Sequence, residues 1–336
     1  TAPSAVPSAG TLTVVSDALG SPQTATLNGV VGGGAARVFV SPEGNDANPC
    51  TSGAQCRTLQ AGVNAAAVGG EVVLSGSGGY GNAAINKSLT VIAAKGTYAA
   101  LSFTGIEDGL TIGAPNTVVV LRNVAINGSA GGTHGVRVLP TATGSVLHLE
   151  NVTISNMAGS GLRVEAAASV FVLNSSFRSN LGPQAAVAVG AGGATLNVSR
   201  TRFEQGGSDG ISISGGRLML RQSMVTENVG HGVMVSGAIA SAFALVENGP
   251  VARNLGDSVN VDGATAQAVV RRATLSGNLG AGLRVTAGQA LADRTQMHGN
   301  RWGMVNSGGT ITSMGNNPTA GNPDGNVGAI TVVPRQ

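Results

Sequence analysis

The chain has 336 residues, of which 42% are hydrophobic and 53 are glycine, whereas only 3% are aromatic and 10% are charged. An ordinary globular protein has about 25% charged residues, so this chain is not a solvated disordered tail, and its core has to consist of aliphatic side chains. The net charge of +3 comes from scattered cations, and Arg271-Arg272 is the only adjacent basic pair, which argues against a nucleic-acid partner. No apolar run is long enough for membrane insertion.

Residues 1–36 are predicted to be a β-prone extension, either a linker or a strand pair. Leu12 and Val14 alternate in one segment, and Ala25 and Leu27 alternate in the next. The segment AGTLTVVSDALGSPQTATLNGV resembles the final strand pair of a bacterial Ig-like module of the ASPM/SPD-2/hydin type. The extension is therefore expected either to be the end of an upstream module or to pair with another molecule.

Residues 37–70 are predicted to contain an opening strand, a cysteine loop and a short capping helix. Cys50 and Cys56 lie six residues apart, a spacing that is compatible with a disulfide. A local disulfide favours an oxidising compartment, so the protein is expected to be secreted, extracellular or at the cell surface. Leu59, Val63 and Ala66 form an apolar stripe that can cover the open end of a stack of strands.

The segment from ARVFVSPEGND through RTLQAGVNAA to GGEVVL resembles the first part of right-handed β-helix proteins of the pectate-lyase-like superfamily. The resemblance covers about residues 37–316 and implies the fold. It does not imply one activity, because the superfamily includes lyases, hydrolases, epimerases and non-catalytic surface and phage proteins.

A repeat indicates the same architecture over residues 71–316. Copies of a G-φ-x-φ pattern, in which φ is hydrophobic, follow one another at a mean of about 24 residues from Gly135 to Gly303. Each copy holds three short alternating segments, so the sequence predicts an all-β, single-stranded, right-handed parallel β-helix with three strands per coil. A leucine-rich repeat is the alternative, but Val, Ile and Gly dominate here. The residues expected to point inward include Leu162, Val164, Phe171, Leu173, Phe177, Ile211, Val233 and Leu283.

A column of asparagines supports this register. One amide recurs three residues after the last core residue of a copy, at Asn180, Asn228, Asn254, Asn278 and Asn300. Gly206 occupies the same slot in one copy, so the slot is expected to need left-handed backbone. We interpret the column as a structural ladder that closes a tight turn, rather than as a ligand site.

Three polar residues are the candidates for chemistry. Asp209, His231 and Asp257 precede successive copies by one residue and should therefore lie on consecutive coils. A histidine between two carboxylates can perform acid–base catalysis, and the alternative interpretation is a surface charge ladder. The acidic cluster that a calcium-dependent lyase requires is missing from the sequence, so neither a metal nor another cofactor is expected.

Residues 317–336 are predicted to be a tail with a short strand that includes Ile330 and Val332. β-prone segments at both termini suggest head-to-tail association, so the protein itself is one expected partner and a surface polysaccharide is the other. The sequence favours a non-catalytic extracellular structural protein, either adhesive or filament-forming. The alternative is a carbohydrate-active enzyme, such as a polysaccharide lyase or glycoside hydrolase, or a polysaccharide-binding protein. Few aromatic residues are present to line a sugar groove.

Overall fold

The main body of the protein is a parallel β-helix, which confirms the predicted fold class. Three parallel sheets of 13, 10 and 10 strands run the length of about ten coils. The computed structural model describes residues 7–14, 23–30, 34–103, 105–129, 131–188, 193–237 and 240–333.

We call the three sheets A, B and C in the order in which each coil visits them. Sheet A consists of Ala35–Val40, Ala66–Leu74, Leu89–Ala93, Val118–Arg122, Val146–Glu150, Ser169–Leu173, Thr195–Ser199, Gly216–Arg221, Ala242–Glu247, Ala266–Arg271, Gln289–Asp293, Thr310–Ser313 and Ile330–Val332. Sheet B consists of Gly78–Gly79, Ala99–Ser102, Val124–Asn127, Thr153–Ser155, Ser176–Arg178, Arg202–Glu204, Met224–Thr226, Pro250–Ala252, Thr274–Ser276 and Gln296–His298. Sheet C consists of Ala83–Ile85, Leu110–Ile112, Val136–Val138, Leu162–Val164, Ala185–Val187, Ile211–Ile213, Val233–Ser236, Val259–Asp262, Ala281–Val285 and Trp302–Asn306.

The core consists of stacked aliphatic side chains, as the alternating segments predict. Val164, Ile211, Val233 and Leu283 are buried on the inner face of sheet C. On sheet B, Phe177 stacks on Phe203 of the next coil, with 4.9 Å between ring centroids, and both side chains are fully buried. Parallel pairing in register repeats each inward position in every coil, so like residues pack on one another.

The prediction for Phe171 and Leu173 is wrong. Val170 and Val172 point into the core, whereas Phe171 lies on the outer face of sheet A, with 40% of its surface exposed, and Leu173 is half-buried. Every residue from Val170 to Leu173 is hydrophobic, so alternation alone does not determine which pair faces inward.

The asparagine column is a buried ladder of side-chain hydrogen bonds. Asn228 donates from its backbone N–H and its Nδ2 to Oδ1 of Asn254, at 3.1 and 2.9 Å. Asn254 contacts Asn278 in the same way, Asn278 contacts Asn300, and Asn300 contacts Asn322. At the other end, Oδ1 of Asn180 accepts the N–H of Met157.

The predicted reason for these asparagines is wrong, because the left-handed residue is the one before each of them. Ser179, Glu227 and Arg253 have φ values of 54°, 60° and 54°. The amide is needed for its hydrogen bonds to the preceding coil, which satisfy backbone groups that are buried in the corner between sheets B and C. Oδ1 of Asn228 accepts the N–H of Gly206, and its Nδ2 donates to the carbonyl of Phe203.

Gly206 is also not in the ladder for its backbone freedom. A Cβ atom at Gly206 would lie 2.4 Å from Nε2 of Gln184, whose side chain occupies the place of the missing amide. Nδ2 of Asn180 donates to Oε1 of Gln184, and Nε2 of Gln184 donates to the carbonyl of Glu204. The buried Gln184 therefore supplies the ladder contacts for this coil, and glycine leaves the space for it.

The helix Leu59–Ala65 lies at the start of the β-helix. Thr58 caps its N-terminus by accepting the N–H of Ala61, and Asp46 accepts the N–H groups of Arg57 and Thr58. Leu59 and Val63 are buried against the first coils, as the stripe predicts. Cys50 and Cys56 form a disulfide in the loop before the helix.

Among the described residues, each strand near a terminus pairs with another strand of the same chain. The strands Pro7–Val14 and Gln23–Val30 pair with each other in an antiparallel two-stranded sheet, and the Gly-Ser-Pro turn between them lies outside the described residues. Ile330–Val332 pairs in parallel with Thr310–Ser313 of the same chain. Residues 317–333 thus continue the coil, since Asn322 and Asn326 also accept N–H groups from Asn300 and Met304.

Candidate functional site

Asp209, His231 and Asp257 lie in one column on consecutive coils. Each stands two residues before a sheet C strand, and the pairing of Ile211 with Val233 and of Val233 with Val259 fixes their alignment. The same column holds a second pair of polar residues, Asp108 and His134, which the sequence analysis missed. They precede the strands Leu110–Ile112 and Val136–Val138.

The structure brings these residues together as acceptors for the backbone of the following coil. Oδ1 of Asp209 accepts the N–H of His231 at 2.8 Å, Nδ1 of His231 accepts the N–H of Asp257 at 2.9 Å, and Oδ1 of Asp257 accepts the N–H of Ala281 at 2.6 Å. Asp108 and His134 repeat the arrangement, because they accept the N–H groups of His134 and Ser160. The column therefore satisfies backbone donors in the turn before sheet C.

Asp257 is the most enclosed of the three candidates. Only 3% of its surface is exposed. Its Oδ2 accepts hydrogen bonds from Nε of Arg284 at 2.9 Å and from Nδ2 of Asn260 at 3.2 Å. Burial acts to raise the pKa of Asp257, but the bonds from His231, Arg284 and the Ala281 N–H outweigh burial and lower it. This carboxylate is ionised and already surrounded by donors.

The pKa of His231 and that of Asp209 are both raised, which favours their protonated forms. Burial acts to lower the pKa of His231, but the hydrogen bond and charge of Asp257 and the charge of Asp209 outweigh it and raise the pKa. Oδ2 of Asp257 lies 3.3 Å from Nδ1 of His231, so a protonated imidazole can exchange the backbone N–H for this carboxylate. Burial raises the pKa of Asp209, although the N–H and the charge of His231 oppose the shift.

We expect His231 to titrate at a higher pH than His134, although both occupy the same column. Burial lowers the pKa of His134, and the guanidinium groups of Arg163 and Arg137 lower it further against the carboxylates of Asp108 and Glu165. The measurement is a titration of the four imidazoles by two-dimensional NMR. Asp257→Asn should lower the pKa of His231 and leave that of His134 unchanged.

The raised pKa of His231 makes the free energy of unfolding depend on pH. Because folding raises the pKa of His231, its protonation stabilises the fold fully below about pH 6.5, and this contribution is lost as the pH rises through the folded-state pKa. If His134 titrated at the higher pH, the assignment of carboxylate contacts to His231 would be wrong.

The polar group at Asp108 and His134 continues into a network on the outer face of sheet C. Nε of Arg137 contacts Oε2 of Glu165 at 2.9 Å and its Nη1 lies 3.5 Å from Oδ2 of Asp108. Nε of Arg163 contacts Oε1 of Glu165 at 2.6 Å. These charges neutralise one another, and the signal in the sequence was the repeated G-V-R-V and G-L-R-V at the strand pair.

A groove on the outer face of sheet A is the second candidate site, and the sequence analysis missed it. Its volume is about 360 Å³. The floor includes Phe171, which stacks on His148 of the preceding coil with 4.9 Å between ring centroids. Leu173 of the same strand also lines the groove, and the following coils contribute Asn197, Ser199 and Met219.

Ion pairs flank the groove at both ends. Arg122 contacts Glu150 at the first end, where Glu150 lines the groove. At the other end Arg221 lines the groove and contacts the buried carboxylate of Glu247. Hydrogen bonds from Arg272 chiefly, and from Arg271 and Arg221, lower the pKa of Glu247 against the effect of burial. Arg271 and Arg272 contact the same carboxylate from outside the groove lining.

Within the described ranges, the His, Cys, Asp and Glu side chains form no group of three or more that could hold a metal ion. The one helix that the structure describes is too short to cross a membrane, and the same part of the chain contains no other candidate span.

Comparisons with known proteins agree with the fold. The family model described as the right-handed β-helix region matches residues 134–302. The structure is similar to that of pectate lyase Pel9A, with a TM-score of 0.51 and 13% identity over 89% of this chain and 78% of the lyase. It is also similar to the Dettilon tailspike protein, with a TM-score of 0.54 and 12% identity over 87% of this chain and 68% of the tailspike. No curated protein matches the sequence significantly.

At these identities the two structures support only the architecture. The family match spans half of the chain, and the pairing of like residues from coil to coil extends the same architecture on both sides of it. The chain therefore belongs to the right-handed β-helix family.

Proposed function

We propose that this protein is a non-catalytic, extracellular β-helix that binds an extended polysaccharide on the outer face of sheet A and so serves in adhesion. The observation that carries the proposal is the groove around Phe171. An exposed aromatic ring in a shallow channel offers a stacking surface for the apolar face of a sugar ring.

The surroundings of Phe171 suit a carbohydrate. The amide of Asn197 and the hydroxyl of Ser199 lie beside the ring on the next coil, and the charged groups of Glu150 and Arg221 lie at the two ends. Sugars need such a combination of a flat apolar contact with directional hydrogen bonds. The groove runs across the coils from Glu150 to Arg221, so a bound sugar chain would lie along the stacking direction.

The hydrogen bonds of the candidate acids favour binding over catalysis. Asp209, His231 and Asp257 already accept backbone N–H groups from the following coil, and Asp257 is buried. They lie before sheet C, whereas the groove lies on sheet A. A catalytic acid or base has to reach the bond that is cleaved, so these residues would not serve a sugar held in the groove.

A carbohydrate-active enzyme is the second candidate, because the pKa of Asp209 and that of His231 are both raised and such shifts are common at acid–base sites. The fold is also shared with pectate lyase Pel9A. His231→Ala and Asp209→Asn should abolish turnover if this function is correct. Release of reducing ends or unsaturated products from a polysaccharide panel would show turnover.

We expect Phe171→Ala to weaken polysaccharide binding by about tenfold or more, since it removes the stacking surface, worth about 0.5–1.5 kcal/mol beyond the buried area. Binding is measured by affinity electrophoresis against neutral and acidic polysaccharides. Tyr98→Ala is the matched control, because Tyr98 is an exposed aromatic residue elsewhere on the chain. Equal loss in both variants, or no binding by the unmodified protein to any polysaccharide, would refute the proposal.

A further inference from the structure

An exposed aliphatic column runs along the corner between sheets B and C. Each coil places one residue there, directly after its ladder position, and we call this column the corner ridge. In chain order its members are Leu181, Gly207, Val229, Leu255, Leu279 and Arg301. The backbone N–H of Leu181 donates to the carbonyl of Met157, and that of each later member donates to the carbonyl of the residue at the ladder position of the preceding coil. The members are therefore stacked about 4.8 Å apart.

The fold does not account for the aliphatic side chains of the corner ridge. Leu181, Val229, Leu255 and Leu279 are between 55% and 66% exposed. The residues before and after a ridge residue, in contrast, have structural roles. The preceding asparagine belongs to the ladder, and Gly256, after Leu255, is needed because a Cβ there would lie 2.7 Å from Nδ1 of His231. A contiguous row of apolar side chains between such positions indicates a surface that a partner covers.

We propose that the corner ridge is a self-association surface through which two copies of this chain pack side by side and antiparallel. The two-fold axis crosses the ridge between the coils of Val229 and Leu255. Val229 of one copy then packs against Leu255 of the other, and each Leu279 enters the gap that Gly207 leaves in the opposite ridge. An isologous contact of this kind requires a self-complementary surface, and the sequence of large and small residues along the ridge meets that requirement.

Charge complementarity supports this register. Glu227 and Arg253 flank the ridge on the sheet B side, on the same two coils as Val229 and Leu255, and both are exposed. Within one chain, Nη2 of Arg253 contacts Oε1 of Glu227 at 2.9 Å. The two-fold axis places Glu227 opposite Arg253 of the second copy and forms a four-charge network. A register shifted to stack Leu255 on itself would place Arg253 against Arg253, which is repulsive.

The first test measures the mass of the 336-residue chain by analytical ultracentrifugation over a range of concentrations. We expect a reversible dimer, and Leu279→Ser should weaken it at least about tenfold, because the side chain is buried twice per dimer. Val68→Ser is the matched control, since Val68 is 72% exposed at the opposite end of the chain. Circular dichroism and the thermal midpoint show that each variant is folded.

The second test examines the register. Glu227→Arg alone and Arg253→Glu alone should each weaken the dimer, whereas the double variant, which exchanges the charges, should restore it. Mixed chains carrying Val229→Cys and Leu255→Cys separately should form an interchain disulfide under mild oxidation. A monomer at all concentrations, equal effects of Leu279→Ser and Val68→Ser, or failure of the double variant to recover would each overturn the proposal.

Discussion

Asn228→Leu should lower the free energy of unfolding by about 3 to 5 kcal/mol. The side chain is fully buried, and its Oδ1 accepts the N–H of Gly206 at 3.0 Å. Its Nδ2 donates to the carbonyls of Phe203 and Thr226 and to Oδ1 of Asn254. Leucine has a similar volume but none of these bonds, so a buried N–H and two carbonyls lose their partner at about 1–3 kcal/mol each.

Chemical denaturation followed by circular dichroism measures this loss. Gln267→Leu is the control, because it makes the same change from amide to aliphatic at an exposed position on sheet A, where the expected effect is within about 0.5 kcal/mol. Limited proteolysis should cut the Asn228 variant first near the corner between sheets B and C. Equal stability of the two variants would show that the ladder contributes little.

Phe177→Ala should also lower the free energy of unfolding by about 3–5 kcal/mol. The ring of Phe177 is fully buried and stacks on the buried ring of Phe203. Its removal leaves a cavity between coils whose backbones are held by parallel hydrogen bonds, so the structure cannot collapse around the vacancy.

The chain contains its own control for this experiment. Phe171 also stacks on a ring, that of His148, but on the outer face of sheet A, and it is 40% exposed. Phe171→Ala should therefore cost less than about 1 kcal/mol of stability while it weakens polysaccharide binding. If Phe171→Ala destabilised the protein as much as Phe177→Ala, the assignment of Phe171 to a binding surface would lose its support.

The fold could be predicted from the sequence because each coil repeats the same three segments and stacks like on like. Residues such as Val164 and Ile211 alternate with polar neighbours, so the inward face is defined. The prediction failed at Val170–Leu173, where four consecutive hydrophobic residues leave the phase undefined. At the tail the sequence indicated the short strand at Ile330–Val332. It did not indicate that residues 317–333 continue the coil, because they do so through Asn322 and Asn326 rather than through a regular repeat.

Only part of the candidate site could be predicted from the sequence. Counting back one residue from the start of each copy was enough to align Asp209, His231 and Asp257, although their spacings are 22 and 26 residues. Their role as acceptors depends on the side-chain rotamers and on where the next coil's N–H groups point, and neither can be derived from spacing. The groove was missed for a related reason, because assigning Phe171 to the core removes its main aromatic contact from the surface.

Gln184 and Gly206 limit how this repeat can be duplicated or shortened. The amide and the space that it fills lie 22 positions apart in the chain, nearly one full period. A segment that begins at Gln184 and ends before Gly210 carries both and is a self-consistent unit for insertion or deletion. A duplicated or deleted unit with a boundary between the two residues would contain Gly206 without the Gln184 amide, or Gln184 without the space that glycine leaves for it. Changes in repeat number, whether natural or engineered, therefore have permitted junctions, and in this coil they lie outside residues 184–206.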